Sequence, residues 1–320
     1  MRILVTGGLG LIGHNVVSKL EKLGHEAVVV DNKTNYDLIP MHQLNYLMQE
    51  RLKKIENHEF IHYFDICDKE NMEWVISIYE PEIVIHMASF PRQKVVNANP
   101  TLGSRVMSEG LLNLLELSNK YEVRKFIYIS SSMVYGDFTK TIKEDAVCNP
   151  IGQYGIMKLA GEYLVKDYAR KNLAYTIIRP SAVYGPLDVE DRVISKFLLS
   201  AMRGEALKVN GLNETLDFTY VDDAADGIIA ASLSDNTDNK IYNITKSHAV
   251  TLYDAASMAI SLAGKGTIEV RDKDFDFPSR GALDCKAAKR DFKFKPKVDV
   301  PEGFEIYYNW LKNDRFFRIV

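Results

Sequence analysis

The feature that most constrains the fold of this chain is a repeated alternation of short apolar runs with longer segments of helical periodicity. The apolar runs are nearly continuous, which is typical of strands buried on both faces of a parallel sheet. Repeated strand–helix alternation predicts an α/β fold built on a doubly wound parallel sheet. The predicted strands are RILVT, EAVVV, EFIHY, EIVIH, KFIYI and AYTIIR.

Amphipathic segments between these runs are the predicted helices. They are Leu11–Leu23, Asp68–Tyr79, Thr101–Lys120 and Gly152–Lys171. The interval between the second and third strands is longer than a crossover needs, and MHQLNYLMQERLKKI within it predicts an inserted helix.

The regular pattern loosens after residue 179, where Pro180, Gly185 and Pro186 indicate irregular chain. We predict a first domain of residues 1–180, to which residues 218–250 return. Residues 181–217 and 251–320 are predicted to form a smaller, mostly C-terminal lobe for the substrate. The two units should share a cleft.

Composition limits the partners and the compartment that we expect. The net charge of −3 gives no bias towards polyanions, so nucleic acid is not an expected partner. No apolar run approaches the roughly 20 residues that span a bilayer, and the opening MRILVTGG predicts a strand and not a secretory signal. The three cysteines are widely spaced, which favours reduced thiols in a cytoplasmic protein over disulfides or a metal site.

A glycine pattern joins the first predicted strand to the first predicted helix. In VTGGLGLIG, Gly7 permits a tight turn, Gly10 lets the backbone approach a pyrophosphate, and Gly13 lets helix and strand pack closely. The N–H groups of Leu11 and Ile12 at the start of the helix are then free to bind the anion. This strand–turn–helix context predicts a Rossmann-type dinucleotide site.

Acidic and amide side chains follow the second predicted strand. Asp31 suits a ribose 2′-hydroxyl and would repel a 2′-phosphate, which favours NAD over NADP. Asp31 and Asn32 could instead be turn residues only. The neighbouring Lys33 keeps NADP open as an alternative.

A tyrosine and a lysine stand four residues apart on a predicted helix. The segment QYGIMKLAGEYL puts Tyr154 and Lys158 on one helix face, a pair that alone is also compatible with a solvated surface. Gly155 and Gly161 each cost this helix about 1 kcal/mol relative to alanine. We therefore expect other groups to approach the backbone of this helix closely.

With these motifs, the chain resembles the extended short-chain dehydrogenase/reductase superfamily, in particular its nucleotide-sugar epimerases and dehydratases. The resemblance extends over essentially the whole chain, through YFDICD, VIHMAS, LLNLLE, YISSSMVYG, IIRPSAVYGP, LDFTYVDDAADGI and CKAAKRDFKFKPKV. It implies NAD as the cofactor and a nucleotide-diphosphate sugar as the substrate. It also implies a homodimer in which the helices near Thr101–Lys120 and Gly152–Lys171 form a bundle.

The resemblance also implies roles for single residues. Ser131, Tyr154 and Lys158 would be the catalytic trio, with Tyr154 as the general base for the sugar hydroxyl that Ser131 binds. Lys158 and the charged nicotinamide would lower the pKa of Tyr154 from its ordinary value of about 10. The family's adenine-binding position falls on Asp65 and Ile66, and the segment beside the cofactor on Met87, Ala88 and Ser89.

A serine and a methionine separate the possible reactions. At the same strand end, the 4,6-dehydratases carry an acidic pair that eliminates water across C5 and C6, and the related decarboxylases keep a glutamate. Here Ser132 and Met133 stand at these positions. A thioether can neither donate nor accept the required proton, which favours oxidation and re-reduction at one carbon.

The chain departs from the family at three polar ligands, where it has Met107, Ala182 and Leu216. A diphosphate still needs positive partners or backbone donors. The candidates for this binding are Lys94, Arg192 and Arg280, each of which could equally be a surface charge.

These motifs together predict an NAD-dependent nucleotide-sugar epimerase, acting at C4 through a transient 4-keto intermediate. A 4-keto-sugar reductase or dehydrogenase with net hydride transfer is the nearest alternative. A non-catalytic dinucleotide sensor is a third, although that class should lack a complete Ser/Tyr/Lys trio.

Overall fold

A computed structural model describes residues 1–34 and 36–317 of the chain. Its strands are β1 (Arg2–Thr6), β2 (Glu26–Val30), β3 (Ile61–His62), β4 (Ile83–His86), β5 (Lys125–Ile129), β6 (Ala174–Pro180), β7 (Val183–Tyr184), β8 (Ala206–Asn210), β9 (Thr215–Asp217), β10 (Thr219–Tyr220), β11 (Lys240–Ile244), β12 (Ala249–Thr251) and β13 (Thr267–Arg271). Its α-helices are α1 (Leu11–Lys22), α2 (Met41–Leu52), α3 (Lys69–Tyr79), α4 (Gln93–Ala98), α5 (Pro100–Ser104), α6 (Gly110–Lys120), α7 (Gln153–Ala169), α8 (Val193–Arg203), α9 (Val221–Leu233), α10 (Leu252–Ala263), α11 (Lys286–Phe292) and α12 (Val300–Asn313).

Seven strands form one parallel sheet in the order β11-β6-β5-β4-β1-β2-β3. The strand order reverses between β1 and β4, so the connections that follow these two strands leave in opposite directions. A crevice opens at such a switch point, outside the carboxyl ends of the strands. The predicted fold class, a doubly wound parallel sheet of the Rossmann type, is confirmed.

Successive side chains of each strand point to opposite faces of this sheet, and helices cover both faces. Ile3 and Val5 of β1 face a core that includes residues of α1 and α9. Leu4, between them, faces a second core that includes residues of α3 and α6. Since both faces are buried, the strands are the near-continuous apolar runs seen in the sequence.

The inserted helix predicted between the second and third strands is present as α2. The third strand is shorter than EFIHY predicts, because His58–Phe60 forms a 3₁₀ turn and only Ile61–His62 pairs with β2. The predicted helix at Thr101–Lys120 begins at Pro100 and contains a π-turn at Arg105–Glu109. Helix α4 was not predicted.

Three small sheets lie outside the large one, and they pair β7 with β10, β8 with β13, and β9 with β12. Helix α8 packs against α10, which in turn contacts α12. Strand β11, within residues 218–250, adds to the edge of the large sheet beside β6. The division into a first domain and a lobe of residues 181–217 and 251–320 stays a prediction, and residues 318–320 of that lobe lie outside the described chain.

Within residues 1–34 and 36–317, no helix combines the length and the apolar character needed to cross a bilayer.

Candidate active site

A cavity of about 1060 Å³ opens at the switch point of the large sheet. The glycine turn after β1 and the end of β4 form one side of it, and β8 with residues 271–280 forms the other. Asp65 is the only sequence-predicted site residue that does not line this cavity. Those that do are Gly7, Gly10, Leu11, Ile12, Gly13, Asp31, Asn32, Ile66, Met87, Ala88, Ser89, Lys94, Ser131, Ser132, Met133, Tyr154, Lys158, Arg192 and Arg280.

The glycine turn is so tight that side chains would not fit at two of its positions. Gly7 has a φ of +69°, and a Cβ on Gly13 would lie 2.2 Å from the carbonyl oxygen of Gly7. Gly10 is the N-cap of α1, and no described side chain caps this helix. The first N–H groups of α1, at Leu11 and Ile12, can therefore donate hydrogen bonds to an anion in the cavity.

The carboxylate of Asp31 lies beside the glycine turn. It accepts hydrogen bonds from the N–H of Leu9 (3.0 Å) and from the N–H of Lys33 (2.8 Å). Burial raises the pKa of Asp31, and these two N–H groups and the charge of Arg51 oppose the rise. The ammonium of Lys33 lies 3.5 Å from the ring centre of Tyr63 and does not line the cavity.

Asp65 supports the cavity wall from outside. Its carboxylate accepts hydrogen bonds from the side chain of Asn32 (3.2 Å) and from the N–H of Cys67 (2.8 Å). The neighbouring Ile66 lines the cavity and is almost fully buried. On the facing side, the N–H of Ala88 donates to the hydroxyl of Thr6 (3.3 Å), which ties the end of β4 to β1.

Helix α7 packs directly on the turn that follows β5. A Cβ on Gly155 would lie 2.7 Å from the carbonyl oxygen of Met133, and one on Gly161 would lie 2.2 Å from the hydroxyl of Tyr128. The close approach expected from these two glycines is therefore present. It holds the first turn of α7, which carries Tyr154, against the strand end.

Ser131, Tyr154 and Lys158 meet at this contact. Of the three consecutive serines, Ser131 is the one whose hydroxyl favours the phenolate of Tyr154, which lowers the pKa of that phenol. Ser130 instead donates to the buried carboxylate of Glu162 (2.6 Å). The ammonium of Lys158 donates to the carbonyl of Ile129 (2.8 Å) and lies 5.9 Å from the ring centre of Tyr154.

Burial dominates the electrostatics of this trio. It raises the pKa of Tyr154, and the charge of Arg192, the hydrogen bond from Ser131 and the charge of Arg280 oppose that rise. Lys158 is itself buried, which lowers its own pKa to about 7. Its effect on the pKa of Tyr154, together with that of the nicotinamide, stays a prediction.

Ser132 and Met133 follow the trio in a 3₁₀ turn and are both buried. The hydroxyl of Ser132 donates to the hydroxyl of Ser181 (3.3 Å). No carboxylate is among the groups that shift the pKa of Tyr154. The end of the cavity beside Tyr154 therefore offers hydroxyls, a thioether and cations.

The three predicted substrate cations line the cavity in different settings. Arg192 is the N-cap of α8, and its Nε lies 3.9 Å from the buried carboxylate of Asp188. Arg280 lies beside the 3₁₀ turn, with Nη1 3.5 Å from the hydroxyl of Ser132. Lys94 is exposed at the rim. Of the positions where the family's polar ligands are missing, Ala182 and Leu216 line the cavity, whereas Met107 does not.

Arg92 was not predicted from the sequence, and it forms an ion pair with Asp191. Asp191 also forms an ion pair with Lys196, with 2.5 Å between the ammonium nitrogen and a carboxylate oxygen. The pair of Arg92 with Asp191 joins the loop after β4 to the start of α8, some hundred residues further along the chain.

Gln93 was also missed, and it is almost fully buried beneath α7. Its Oε1 atom accepts a hydrogen bond from the backbone N–H of Tyr154 (3.3 Å). A Cβ on Gly152 would collide with its side-chain amide. Gln93 thus supplies the side-chain contact at the start of α7, because the N-cap Gly152 has no side chain of its own.

The charge of the cavity differs in sign from that of the whole chain. Ten Lys and Arg side chains line it against six Asp and Glu, whereas the chain has a net charge of −3. A positive cavity concentrates anionic ligands. No group of three or more His, Cys, Asp or Glu side chains in the described parts of the chain is placed to hold a metal ion.

A family model described as "NAD dependent epimerase/dehydratase family" matches residues 3–245. A provisionally named UDP-glucose 4-epimerase of Methanocaldococcus jannaschii is 31% identical, with 98% of this chain and 99% of the relative covered. The crystal structure of UDP-glucuronic acid 4-epimerase from Bacillus cereus, in complex with UDP-glucuronic acid and NAD, is similar with a TM-score of 0.89. That protein is 26% identical, with 98% of this chain and 99% of that chain covered. A dTDP-D-glucose 4,6-dehydratase of Homo sapiens is 25% identical, with 98% of this chain and 90% of the relative covered.

Proposed function

The chain belongs to the NAD-dependent epimerase/dehydratase family, and on that premise we propose that it inverts C4 of a nucleotide-diphosphate sugar. The observation that carries the proposal is that Ser131, Tyr154 and Lys158 line one positive cavity that also contains the glycine turn. This arrangement supplies a proton acceptor, a hydroxyl-binding group and an anion site within one enclosure.

The residues around the glycine turn fit NAD. The uncapped N-terminus of α1 suits the pyrophosphate, because its N–H groups have no partner in the helix. The carboxylate of Asp31 suits a ribose 2′-hydroxyl and opposes a 2′-phosphate. NAD in this site supplies the acceptor for the hydride of C4 and its donor in the return step.

Tyr154 handles the proton of the C4 hydroxyl. It takes this proton as the hydride leaves C4, and it returns the proton when the hydride comes back to the opposite face. The charges of Arg192 and Arg280 assist by stabilising the phenolate against burial. Ser131 hydrogen-bonds the same sugar hydroxyl, and Lys158 holds the nicotinamide ribose.

The side chains after Ser131 support epimerisation over dehydration. Loss of water from a 4-keto sugar needs an acid and a base beside C5 and C6. Ser132 and Met133, which follow Ser131, supply neither. The keto sugar can then only be reduced again at the carbon where it was oxidised.

Cations of the cavity would bind the anionic groups of the substrate, with Arg192 and Lys94 towards the diphosphate. A guanidinium matches phosphate geometry and is more weakly hydrated than an ammonium, so Arg192 is expected to contribute the larger share. The UDP sugars are the first nucleotides to test, because the relatives with 4-epimerase names are UDP-sugar enzymes.

The homodimer is proposed from the family resemblance. In its support, α7 exposes 53% of Ile156 and 63% of Tyr163 on the helix that the bundle would use. Cytoplasmic localisation likewise stays a prediction from the cysteine pattern.

The proposed reaction is tested with a substrate deuterated at C4. The NAD-loaded protein is incubated with C4-deuterated UDP-sugars, and the products are followed by NMR. The expected product is the C4 epimer with its deuterium retained, since the hydride returns to the carbon that it left. Absorbance of reduced cofactor is recorded in the same samples, and no stoichiometric accumulation is expected.

Other outcomes identify other reactions. Sustained formation of NADH matched to substrate loss would make the protein a dehydrogenase. Loss of water from C6 would make it a dehydratase and would contradict the interpretation of Ser132 and Met133.

A further inference from the structure

Arg280 stands out among the cations of the cavity because its guanidinium is poorly partnered. Its Nε atom is shielded from solvent and has no hydrogen-bond partner in the described chain. Its Nη1 atom makes one long contact, 3.5 Å, with the hydroxyl of Ser132. A guanidinium carries five N–H donors, and leaving them unsatisfied away from water is costly. An anionic group bound here would remove that cost.

Three other cations of the cavity are paired with carboxylates. Arg92 and Lys196 both pair with Asp191. Lys273 lies 3.5 Å from Glu214. In the described residues, no carboxylate lies within 4 Å of the guanidinium of Arg280. Burial lowers the pKa of Arg280 to about 10, so the side chain stays charged at neutral pH.

The nearest carboxylate to influence Arg280 is that of Glu214, which raises the pKa of the arginine. Glu214 is already bound by another residue, because the hydroxyl of Ser279 lies 3.0 and 2.9 Å from its two carboxylate oxygens and donates to them. It also attracts Lys273. The positive charge of Arg280 is therefore available to a ligand.

The position of Arg280 relates it to the reacting carbon. Its Nη1 contacts the hydroxyl of Ser132, the residue that follows Ser131. Tyr154 and Ser131 bind the C4 hydroxyl under the proposed function. In a pyranose, C1 with its diphosphate lies across the ring from C4, whereas C6 branches from C5, the carbon next to C4. A cation beside the C4 site therefore suits a substituent at C6 better than the phosphates.

On the premise of the proposed function, we propose that the substrate is a nucleotide-diphosphate uronic acid and that Arg280 binds its C6 carboxylate. Oxidation of C6 of a hexose produces a carboxylate there, and the arginine fork matches its two oxygens. The hydroxyl of Ser181, which accepts the hydrogen bond of Ser132 at 3.3 Å, keeps its own proton to donate to this carboxylate. A neutral hydroxymethyl group would leave the guanidinium unpaired.

The experiment compares two probes that differ only at C6, UDP-glucuronic acid and UDP-glucose. Binding of each to the NAD-loaded protein is measured by calorimetry, and turnover of each is measured separately. We expect UDP-glucuronic acid to bind at least about 30-fold more tightly, the scale of a charge-assisted hydrogen bond to a buried group. Arg280→Gln should remove most of this preference by weakening the uronate, and Arg280→Lys should restore part of it.

Arg192→Gln is the matched control, because Arg192 is a cavity cation assigned to the diphosphate. It should weaken both probes by a similar factor and leave their ratio unchanged. Near-UV circular dichroism and NAD binding of each variant establish that the fold is kept.

Equal affinities of the wild-type protein for the two probes, or equal losses of both in Arg280→Gln, would overturn the uronate proposal. The second result would make Arg280 a diphosphate ligand. Arg280-dependent uronate binding without turnover would uphold this inference and contradict the proposed epimerase. Epimerisation of both probes with no preference would overturn the uronate inference and uphold the proposed epimerase.

Discussion

The two ends of the cavity are built in different ways. The end at the glycine turn is formed by backbone, in the tight turn at Gly7 and Gly13 and the uncapped start of α1. The end beyond Tyr154 is formed by long charged side chains from distant parts of the chain, such as Arg92, Arg192 and Arg280. The first end needs a backbone shape, whereas the second needs a pattern of charge.

This difference indicates where substitutions could change the reaction or the substrate of the protein. A backbone cradle tolerates few substitutions, since a Cβ at Gly13 would lie 2.2 Å from a carbonyl oxygen. Side chains at the other end can be exchanged without altering the sheet. Ala182 and Leu216 already depart from the family there, while the glycine turn keeps its pattern.

The largest expected effect comes from Tyr154, where the two ends meet. Tyr154→Phe removes the phenol and keeps the ring, so turnover should fall by at least about a hundredfold, the scale of general acid–base catalysis. Binding of NAD and of the UDP-sugar should be nearly unchanged, because neither end is disturbed. Rates and both dissociation constants are measured on the same preparation. Near-normal turnover in a folded, NAD-bound variant would remove Tyr154 from its role.

Much of the fold and of the glycine-turn end could be predicted from the sequence, because the signals are local. The pattern of Gly7, Gly10 and Gly13 lies within one strand–turn–helix unit, and Asp31 follows the next strand. The strand EFIHY was predicted too long because apolar content does not distinguish a 3₁₀ turn from a strand. The contact of Asp65 with the adenine stays a prediction, and in the structure its carboxylate accepts a hydrogen bond from Asn32 at the cavity wall.

The far end could be predicted only in part, because its contacts join distant segments. The pair of Arg92 with Asp191 and the support of Tyr154 by Gln93 depend on where the loop after β4 packs. No local motif encodes such a contact. The sequence supplied Lys94, Arg192 and Arg280 as candidates, but it could not tell that the Nε atom of Arg280 would be shielded from solvent without a partner.

The glycine-turn end is tested by the choice of dinucleotide. The carboxylate of Asp31 should make NAD bind at least about tenfold more tightly than NADP, because like charges in close contact are strongly disfavoured. Asp31→Asn keeps an oxygen to accept the N–H of Leu9 or Lys33 and removes the charge, so it should narrow the ratio of the two dissociation constants. Tighter binding of NADP to the wild-type protein, or an unchanged ratio in the variant, would contradict this role of Asp31.

The smallest expected effect is a shift in pH dependence, which tests whether charge at the far end acts on the base. Arg192 lowers the pKa of Tyr154 by favouring the phenolate. Arg192→Gln should therefore raise this pKa. Since the base must be deprotonated to act, the alkaline rise of kcat/KM should move to higher pH.

Lys196→Gln serves as the matched control for this shift. Lys196 also lines the cavity, but it pairs with Asp191 and is not among the groups that affect Tyr154. Its profile should keep the wild-type position, because the charge that it loses was not stabilising the phenolate. The same shift in both variants would mean that the net charge of the cavity sets the pKa of Tyr154. The position of Arg192 would then have no specific effect on this pKa.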